Sequence, residues 1–388
     1  MTPRFAHLDG ETTELTNRLL ALASRGLPAM YRSDTDEFAF TRVFTTTDDR
    51  VDAHLSGTSL RYAAIVALGV AWLPEADRPA LLGGHCLDDF VTLLVERQQT
   101  STNLGDIALI AWSAAQIGHP SLPDALRRLA SADRRTAPEY VVEAAWVVSA
   151  LATARGQADV EEHLAQARKR LLDSVFKGSP VFPHATGPGL VKGYRNHIAC
   201  FADQVYPIQA LARLHHSGDD KAALDAARVT AEQICRLQGP AGQWWWHYDA
   251  RTGDVIEGYP VYTVHQHAMA PMALLDLAEA GGGDYDQSIR LGLRWLLGPA
   301  ELGAGSETML RDDDGLTVRK VFRGDPRKIV RGLHGVTTGV RSGLRMPVID
   351  RVYRPTALDR ECRPYEFGWL YFAWLASVHT PATEQQGR

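Results

Sequence analysis

Two histidines, His265 and His267, stand one residue apart at the start of an apolar run, and Tyr262 precedes them. A neutral imidazole accepts a proton near pH 7, and a tyrosine hydroxyl can exchange one. These three residues are therefore candidates for general acid–base catalysis. On a helix, residues two positions apart diverge by about 200°, so the pair does not favour a shared metal ion. We expect neither a metal nor a cofactor.

Three consecutive tryptophans come shortly before, in "GQWWWHYD" at 242–249. In an extended chain Trp244 and Trp246 point one way and Trp245 the other, so at least one indole should face a pocket or its rim. Indoles there suit a sugar ring or a flat hydrocarbon equally well. We expect these tryptophans and His247 to contact substrate. The alternative is that the indoles only fill the core, because Trp is bulky and usually buried.

Hydrophobic periodicity predicts helices of two kinds that must position these residues. Amphipathic segments, expected on the outside, cover 11–25, 87–98, 121–131, 157–173, 220–237 and 284–297. Segments that are apolar nearly all round, and therefore expected to be buried, cover 58–73, 103–118, 138–153, 201–214, 263–280 and 363–377. The two kinds alternate strictly along the chain. No segment shows convincing strand alternation.

This alternation predicts an all-α (α/α)6 toroid, in which six inner helices ring an axis and six outer helices wrap them. An α-solenoid of helical hairpins would alternate in the same way. The inner helices are spaced irregularly, by roughly 35 to 100 residues, whereas solenoids keep a period near 34 to 47, and this favours the closed toroid. We expect one domain over 1–380 and a polar tail at 381–388.

Inner helices of a toroid run parallel, so the residues that open them meet at one end of the barrel. Polar residues at these openings form six groups: Arg61 and Tyr62; Asn103 and Asp106; Tyr140 and Glu143; Asp203 and Tyr206; Tyr262, His265 and His267; and Arg363, Tyr365 and Glu366. We expect about half of them to be helix caps or satisfied core hydrogen bonds. A mostly apolar concavity with converging polar groups is the usual form of a ligand site, and we expect the substrate pocket here.

One short segment, "QGPAGQW" at 238–244, resembles the QW motif of terpenoid cyclases and protein prenyltransferases, which are α/α toroids. This resemblance implies an alternative function, a cyclase or prenyl-diphosphate enzyme whose aromatic lining would stabilise carbocations. Two acidic stretches, 34–37 and 48–52, are similar to the DxDD and DDxxD motifs of cyclases. The first precedes the first inner helix and ends in Glu. The second lacks a companion metal motif, and we interpret it as chance.

The chain also resembles (α/α)-toroid glycan enzymes, notably alginate-lyase-like and glucuronyl-epimerase-like proteins. In these proteins a Gly–Trp turn leads to an aromatic–histidine pair that opens an inner helix, as in "YTVHQHAMAPMALLDLAEAGG" at 262–282. The segment "RNHIACF" at 195–201 is similar to their Asn–His element. This resemblance implies a carbohydrate-active enzyme that acts on an anionic, uronic-acid-containing glycan or oligosaccharide.

Lyase or epimerase chemistry at C5 of a uronic acid needs a base, an acid and a group that neutralises the carboxylate. The three residues around His265 and also Tyr206 can supply the acid and base, and Arg363 or Asn196 can neutralise. Glycoside hydrolysis instead uses two carboxylates about 5 to 9.5 Å apart, which Asp203 with Glu366 or Glu143 can supply. The residue types leave these reactions open, together with a non-catalytic glycan-binding protein.

Charge is distributed unevenly: the chain carries −5 in total, but 319–363 holds twelve Lys or Arg against four Asp or Glu. This basic block is typical of a surface for an anionic substrate or of a solvated loop. Nucleic acid is not favoured as a partner, because the overall charge is negative and aromatics do not interleave with the basic residues. Four cysteines far apart without a CxxC pair, and no long apolar stretch or signal pattern, predict a cytoplasmic protein without a transmembrane segment.

Replacing each histidine of the pair by glutamine keeps its size but removes its titration. We expect one variant to lose turnover at least about 10²-fold with little change in melting temperature. The other should lower the free energy of unfolding by about 1 to 3 kcal/mol through a lost hydrogen bond. Turnover assays and thermal melts of both variants check this. Full activity in both would move the leading role to Asp203 and Glu366.

Overall fold

The computed structural model describes residues 4–47, 50–134, 136–303, 307–344 and 346–378, so the predicted tail at 381–388 lies outside the described residues. Its α-helices, in chain order, are α1 Gly10–Gly26, α2 Leu60–Val70, α3 Arg78–Leu81, α4 Leu87–Gln98, α5 Leu104–Gln116, α6 Leu122–Ala132, α7 Val141–Ala154, α8 Glu161–Asp173, α9 Ala202–Gly218, α10 Lys221–Arg236, α11 Ala270–Glu279, α12 Asp286–Trp295, α13 Ile329–Val340, α14 Pro347–Val352 and α15 Pro364–Leu375. All twelve predicted helices are present.

The strands are short except for one pair. In chain order they are β1 Tyr31–Arg32, β2 Glu37–Thr47, β3 Arg50–Thr58, β4 Ile198–Cys200, β5 His247–Asp249, β6 Val255–Glu257, β7 Val261–Tyr262, β8 Leu310–Arg311, β9 Leu316–Thr317, β10 Lys320–Phe322, β11 Ala357–Asp359 and β12 Glu361–Cys362. They form small antiparallel sheets with the orders β1-β2-β12 with β3 on β2, β11-β10-β7, β4-β5-β6 and β8-β9. These sheets lie in the connections between helices.

Six helices form a closed inner ring. In order around the ring, α2, α5, α7, α9, α11 and α15 each pack against the next, and α15 packs against α2. The outer helices α1, α4, α6, α8, α10 and α12 contact the ring from outside. An open solenoid has no contact between its first and last repeats, so this closure confirms the predicted (α/α)6 toroid.

The ring closes where α2 meets α15, through two glycines. A Cβ atom on Gly69 would overlap the carbonyl oxygen of Gly368, and a Cβ atom on Gly368 would lie 2.6 Å from the carbonyl oxygen of Ile65. Only a residue without a side chain allows this close backbone approach. The first and last inner helices therefore depend on glycine at both positions for their contact.

Long connections lie at one end of the ring. They lead into the amino-terminal ends of the inner helices and include the β2–β3 hairpin and the segments 174–201, 237–264 and 296–363. At the opposite end, most inner helices pass to the next outer helix within a few residues. Loops on a rigid scaffold are where binding and catalytic residues concentrate, so the amino-terminal end carries the candidate site.

The β2–β3 hairpin is a difference from the sequence-based expectation of no strands. Its register pairs Ala39 with Thr58 and Phe44 with Ala53. Phe44 is buried whereas Phe40 is partly exposed, so the hairpin packs only part of one face on the ring and its alternation is weak. Of the acidic stretch 48–52, residues 48 and 49 lie outside the described residues.

The QW-like segment ties two outer helices together. Gln238, just after α10, donates from Nε2 to the carbonyl oxygens of Gly242, 3.0 Å away, and of Ser288 in α12, 2.9 Å away. Gly242 has a positive φ of 97°, and its α-carbon packs against the backbone of Leu291. These contacts explain the Gln and Gly of the motif structurally.

The remaining acidic stretch, 34–37, is also explained by structure. Asp36 accepts hydrogen bonds from Tyr31 and from His85 Nε2, the latter at 2.8 Å, at the turn between β1 and β2.

None of the described helices is long and apolar enough to cross a bilayer.

Gly69→Ala should lower the free energy of unfolding by about 1 to 3 kcal/mol, because the added methyl group forces α2 and α15 apart. Gly332→Ala is the matched control: Gly332 lies in α13 with nothing near its missing side chain, so alanine should stabilise by up to about 1 kcal/mol. Chemical denaturation of both variants measures this. Equal stability of wild type and Gly69→Ala would contradict the ring closure described here.

Candidate functional site

Arg61, in the first turn of α2, is the centre of a polar cluster at the amino-terminal end of the ring. Its Nε donates to Asp106 Oδ1 at 3.0 Å, and its Nη2 donates to Asn103 Oδ1 at 2.6 Å and to Glu143 Oε1 at 3.3 Å. Asn103 caps α5 by accepting from the Asp106 amide. Three consecutive inner helices thus place two carboxylates on a single guanidinium.

Both carboxylates are partly accessible, Asp106 with 19% and Glu143 with 13% of the side chain exposed. Burial raises the pKa of Glu143, and the positive charge of Arg61 only partly offsets this. Gly105 makes room for the cluster, since a Cβ atom there would lie 2.8 Å from Arg61 Nη2. The pair combines a carboxyl group that is harder to ionise with one that is more open to solvent.

Aromatic rings continue the site toward the axis. The Arg61 guanidinium lies 5.1 Å from the ring centroid of Trp146, which is one turn beyond Glu143. Trp146 packs edge-on against Tyr206 at 5.0 Å, and Tyr206 contacts Trp369 at 5.8 Å. Burial raises the pKa of Tyr206, so its hydroxyl stays protonated at neutral pH. These closely packed rings, which are almost fully buried, form an aromatic floor beneath the Arg61 cluster.

The Arg61 cluster is one wall of the candidate site. Arg363, Tyr62 and Tyr365 form a second wall. Arg363 donates from Nη1 to the Tyr62 hydroxyl at 3.0 Å and from Nη2 to Glu361 Oε2 at 3.0 Å. The rings of Tyr62 and Tyr365 lie 4.6 Å apart. Phe40 of the hairpin stacks on Tyr62 at 5.3 Å and lies under the Arg363 guanidinium at 4.2 Å. The hairpin therefore completes this wall.

Tyr262 lies between two cations, and these three residues form a third wall of the candidate site. The guanidinium of Arg319 lies 5.3 Å and the ammonium of Lys320 lies 5.5 Å from the Tyr262 ring centroid. Burial raises the pKa of Tyr262, although the nearby arginines oppose the shift. Arg319 is also bonded to Glu361, 3.2 Å from its Nη1. Two arginines of different segments thus meet on the same carboxylate.

His265 belongs to this third wall. It opens a π-helical turn, His265–Met269, that precedes α11, and π-turns are frequent at functional sites. Its ring stacks on Trp246 at 5.8 Å and lies 5.0 Å from Tyr262. Burial lowers the pKa of His265 to about 3. A base this weak removes a proton poorly at neutral pH, so the imidazole is better suited to hydrogen bonding.

His267 and two of the tryptophans lie away from the walls. His267 is fully buried, neither ring nitrogen has a hydrogen-bond partner among the described residues, and burial lowers its pKa to about 3. Trp244 is fully buried against Phe201 at 5.6 Å. Trp245 donates from Nε1 to the Leu237 carbonyl oxygen at 2.7 Å. Of the three tryptophans, Trp246 is the one at the candidate site.

Asp203 forms an ion pair with a residue that the sequence did not suggest. His184 Nδ1 lies 2.9 Å from Asp203 Oδ2, and the Cys200 amide donates to the same oxygen at 2.6 Å. The Asp203 carboxylate raises the pKa of His184, whose side chain is 38% exposed. Tyr140 packs against the His184 ring at 5.1 Å. Asp203 is thus paired with a histidine rather than with a second carboxylate.

Glu366 is fully buried near the second and third walls. Its Oε2 accepts from Thr317 Oγ1 at 3.0 Å, and its Oε1 has no partner in the described part of the chain. Burial raises the pKa of Glu366 to about 7, although Arg319 and Arg363 oppose this. Glu366 and the Arg61 cluster have no hydrogen-bond partner in common among the described residues.

Two predicted residues lie at the rim. Asn196 is exposed and lines a cavity of about 390 Å³ together with His184. His247 is buried on β5, 5.5 Å from the Trp246 ring. Burial lowers the pKa of His247 well below its ordinary value, and Arg331 and Arg195 add to this. Two arginines, Arg195 and Arg331, therefore act on this part of the site.

Two groups of described residues place three metal-ligand types close together: His184, Cys200 and Asp203; and Glu257, His334 and Asp350. In each group, carboxylates are already paired with a histidine or an arginine of the protein. His184 pairs with Asp203, and Arg323 Nη2 lies 3.0 Å from Glu257 and 2.7 Å from Asp350. Burial also raises the pKa of Cys200, which keeps its sulfur a poor ligand. Both groups are explained as ion-paired networks.

The structure brings most of the polar residues predicted at the starts of the inner helices to one end of the ring. Sequence reasoning missed several other residues there: Phe40, Trp146, His184, Arg319, Glu361 and Trp369. Trp146 and Trp369 lie three positions beyond Glu143 and Glu366, on the same side of their helices. A search one turn deeper along each inner helix would have found them. The other four lie in loops and strands whose position depends on tertiary contacts.

Several solved structures are similar to this chain. An unsaturated glucuronyl hydrolase from Bacillus sp. GL1, responsible for the degradation of glycosaminoglycan, is 12% identical with a TM-score of 0.55, covering 93% of this chain and 94% of that one. A glycosyl hydrolase family 88 protein from Bacteroides vulgatus is 12% identical with a TM-score of 0.53, covering 96% and 99%. A polysaccharide lyase is 10% identical with a TM-score of 0.51, covering 97% and 98%.

The chain shares the toroid fold of these enzymes. At such low identity the similarity concerns the fold, and it agrees with the closed ring of inner helices described above. No protein family and no curated protein matches the sequence. The reaction must therefore be argued from the side chains at the candidate site.

Glu366→Gln should change how stability depends on pH. The folded state raises the pKa of Glu366 from 4.5 to about 7. Its contribution to stability is therefore complete below about pH 4.5 and lost as the pH rises through 7. Glutamine stays neutral, so the variant should be more stable than wild type at pH 8 by up to about 3 kcal/mol, with the difference shrinking toward pH 5. Thermal melts across this range measure it. A constant difference at all pH values would contradict the assignment.

Proposed function

We propose that the protein is a glycan enzyme that hydrolyses a glycosidic bond next to an anionic, uronic-acid sugar. The observation that carries this is the pair Asp106 and Glu143, held on the Arg61 guanidinium beside the aromatic floor. Glycoside hydrolysis needs two carboxyl groups about 5 to 9.5 Å apart. Asp106 and Glu143 contact neighbouring nitrogens of one guanidinium, so their carboxyl groups lie close together.

Each carboxyl group has a role that follows from its environment. Glu143, whose pKa is raised by burial, donates a proton to the glycosidic oxygen as the bond from C1 to that oxygen breaks. Asp106 accepts a proton from the water that adds to C1, or attacks C1 itself in a two-step reaction. Trp146 and Tyr206, which pack edge-on against each other at 5.0 Å, would lie beneath the sugar.

Positive charge around the candidate site supports the proposal of an anionic substrate. Six inner helices point their amino-terminal ends, which carry partial positive charge, toward the site. Arg331 makes no ion pair with any described residue, and its charge acts on Tyr262 and His247. Asp325 and Glu257 act on Arg331 only at longer range, so a uronic carboxylate could form a direct ion pair with it. The similar structures include a hydrolase responsible for glycosaminoglycan degradation, which agrees with this substrate class.

The other reactions receive less support. Lyase or epimerase chemistry needs a base near neutral pH; burial raises the pKa of Tyr262 and Tyr206 and lowers that of His265, which leaves the partly exposed His184, paired with Asp203, for that role. A terpenoid cyclase was suggested by the QW-like segment, whose Gln238 instead ties α10 to α12. Neither alternative has an observation at the site that favours it over hydrolysis.

We also keep two broader expectations as proposals. All four cysteines are free, which supports a reducing compartment such as the cytoplasm. Toroid helices follow one another from α1 to α15, which supports a single domain over 1–380.

Asp106→Asn and Glu143→Gln should each lower turnover at least about 10²-fold, the usual scale for a general acid or base. The assay uses oligosaccharides that end in a uronic acid, with neutral oligosaccharides of equal length alongside, and identifies the products. Glu161→Gln is the matched control, because Glu161 is also bound to an arginine, Arg155, but on exposed surface of an outer helix. Hydrolysis predicts products without a new double bond.

Three outcomes would overturn this proposal. Full activity of both site variants would remove the carboxylate pair from the reaction. An unsaturated product would identify a lyase. Turnover of neutral oligosaccharides at the same rate would contradict the anionic substrate class.

A further inference from the structure

Helix α13 exposes an apolar stripe that an ordinary surface helix would bury. Its buried side carries His334 and Thr338 together with Val330, whereas four other apolar residues, Ile329, Leu333, Val336 and Val340, are exposed. These four residues follow helical spacing and form one stripe, which we call the outer α13 face. Val336 is 56% exposed and Val340 is 82% exposed. A surface helix normally turns its apolar stripe inward, so this arrangement points to a partner outside the toroid.

The helix cannot turn over to bury this stripe. His334 Nδ1 lies 2.9 Å from Glu257 Oε2, and Arg323 Nη2 lies 3.0 Å from the other oxygen of Glu257. One turn further on, the Thr338 carbonyl oxygen accepts from Arg251 Nη2 at 2.6 Å. These buried polar contacts hold the inner side of α13 against β6 and its neighbours. The outer face is therefore a stable feature of the fold.

Apolar exposure continues beyond α13. In α14, Val348 and Val352 are 71% and 68% exposed and lie one helical turn apart. On the other side, Tyr194 lines a cavity of about 560 Å³ with Val336 and Val340. The outer α13 face thus borders this cavity, and α14 carries two further exposed valines.

Basic residues surround this surface. Between 326 and 354 the sequence has seven Lys or Arg and one acid, Asp350, and Asp350 is paired with Arg323 at 2.7 Å. Exposed cations stand at both ends of α13 and along α14, and none of them forms an ion pair with a described residue: Arg327, Lys328, Arg341, Arg351 and Arg354. The outer α13 face is therefore an apolar stripe within a net positive border.

We propose that the outer α13 face docks on an anionic lipid bilayer. Aliphatic side chains would enter the headgroup region, and the surrounding cations would contact lipid phosphates. A second copy of the chain fits less well, because a two-fold contact through this face would bring its positive borders together. A glycan fits less well too, since branched aliphatic side chains lack the flat faces that stack on sugars. This proposal does not depend on the proposed reaction.

Vesicle flotation tests the proposal with the full-length protein. Vesicles of phosphatidylcholine alone are compared with vesicles that also contain phosphatidylglycerol. We expect at least about tenfold more bound protein on the anionic vesicles, and less binding as salt screens the charges. The double variant Val336→Glu/Val340→Glu should lose this binding. Its melting temperature should match wild type, because both side chains are exposed.

A matched control places the same charges elsewhere. Val229→Glu/Leu297→Glu alters exposed aliphatic residues on and after outer helices α10 and α12, and should bind anionic vesicles as wild type does. Absent or equal binding to the two kinds of vesicle would overturn the proposal. So would a dimer in solution that Val336→Glu/Val340→Glu converts to a monomer, since the face would then be an interface between copies.

Discussion

The contact between Gly69 and Gly368 is the constraint on which the architecture depends. It lets the backbone of the last inner helix lie directly against that of the first, which a side chain at either position would prevent. Once the ring is closed, all six inner helices must run parallel, and their amino-terminal ends share one face. The convergence of polar residues at the candidate site is thus a consequence of backbone packing, before any contact between those residues is considered.

The two ends of the ring are stabilised by opposite kinds of polar chemistry. At the carboxyl-terminal end, Asp276 is fully buried and bound by Arg213 and Arg4, each 2.6 Å away, so its charge is compensated. Arg213 also lies 4.7 Å from the Phe372 ring and closes the axis there. At the amino-terminal end, Glu143 and Arg61 stay partly open to solvent. Completed ion pairs make a structural plug, whereas incompletely compensated groups leave capacity for a ligand.

Helix positions and the meeting of their openings could be predicted from sequence, because burial on all sides follows directly from an apolar helix surface. Which carboxylates lie next to each other could not be predicted from the sequence. The sequence offers Asp203 with Glu366 or with Glu143, but which acids share a guanidinium depends on which helices are neighbours. Arg61, Asp106 and Glu143 meet because α2, α5 and α7 are consecutive in the ring. Trp246 reaches the site whereas Trp244 is fully buried, although strand alternation would place both on the same side, so tertiary contacts rather than alternation separate them.

Helix α13 shows most clearly what periodicity leaves undetermined. An apolar stripe of period 3.6 indicates a helix, but it does not say which side meets the protein. Here the decision rests with Glu257, a buried carboxylate that needs Arg323 and His334. Turning α13 over would remove one of these partners, and breaking a buried ion pair costs about 3 to 5 kcal/mol. It would also set valines against charged groups, where their burial gains little. Local electrostatics therefore overrides the usual preference for apolar residues inside, and it is this conflict that leaves a hydrophobic face exposed.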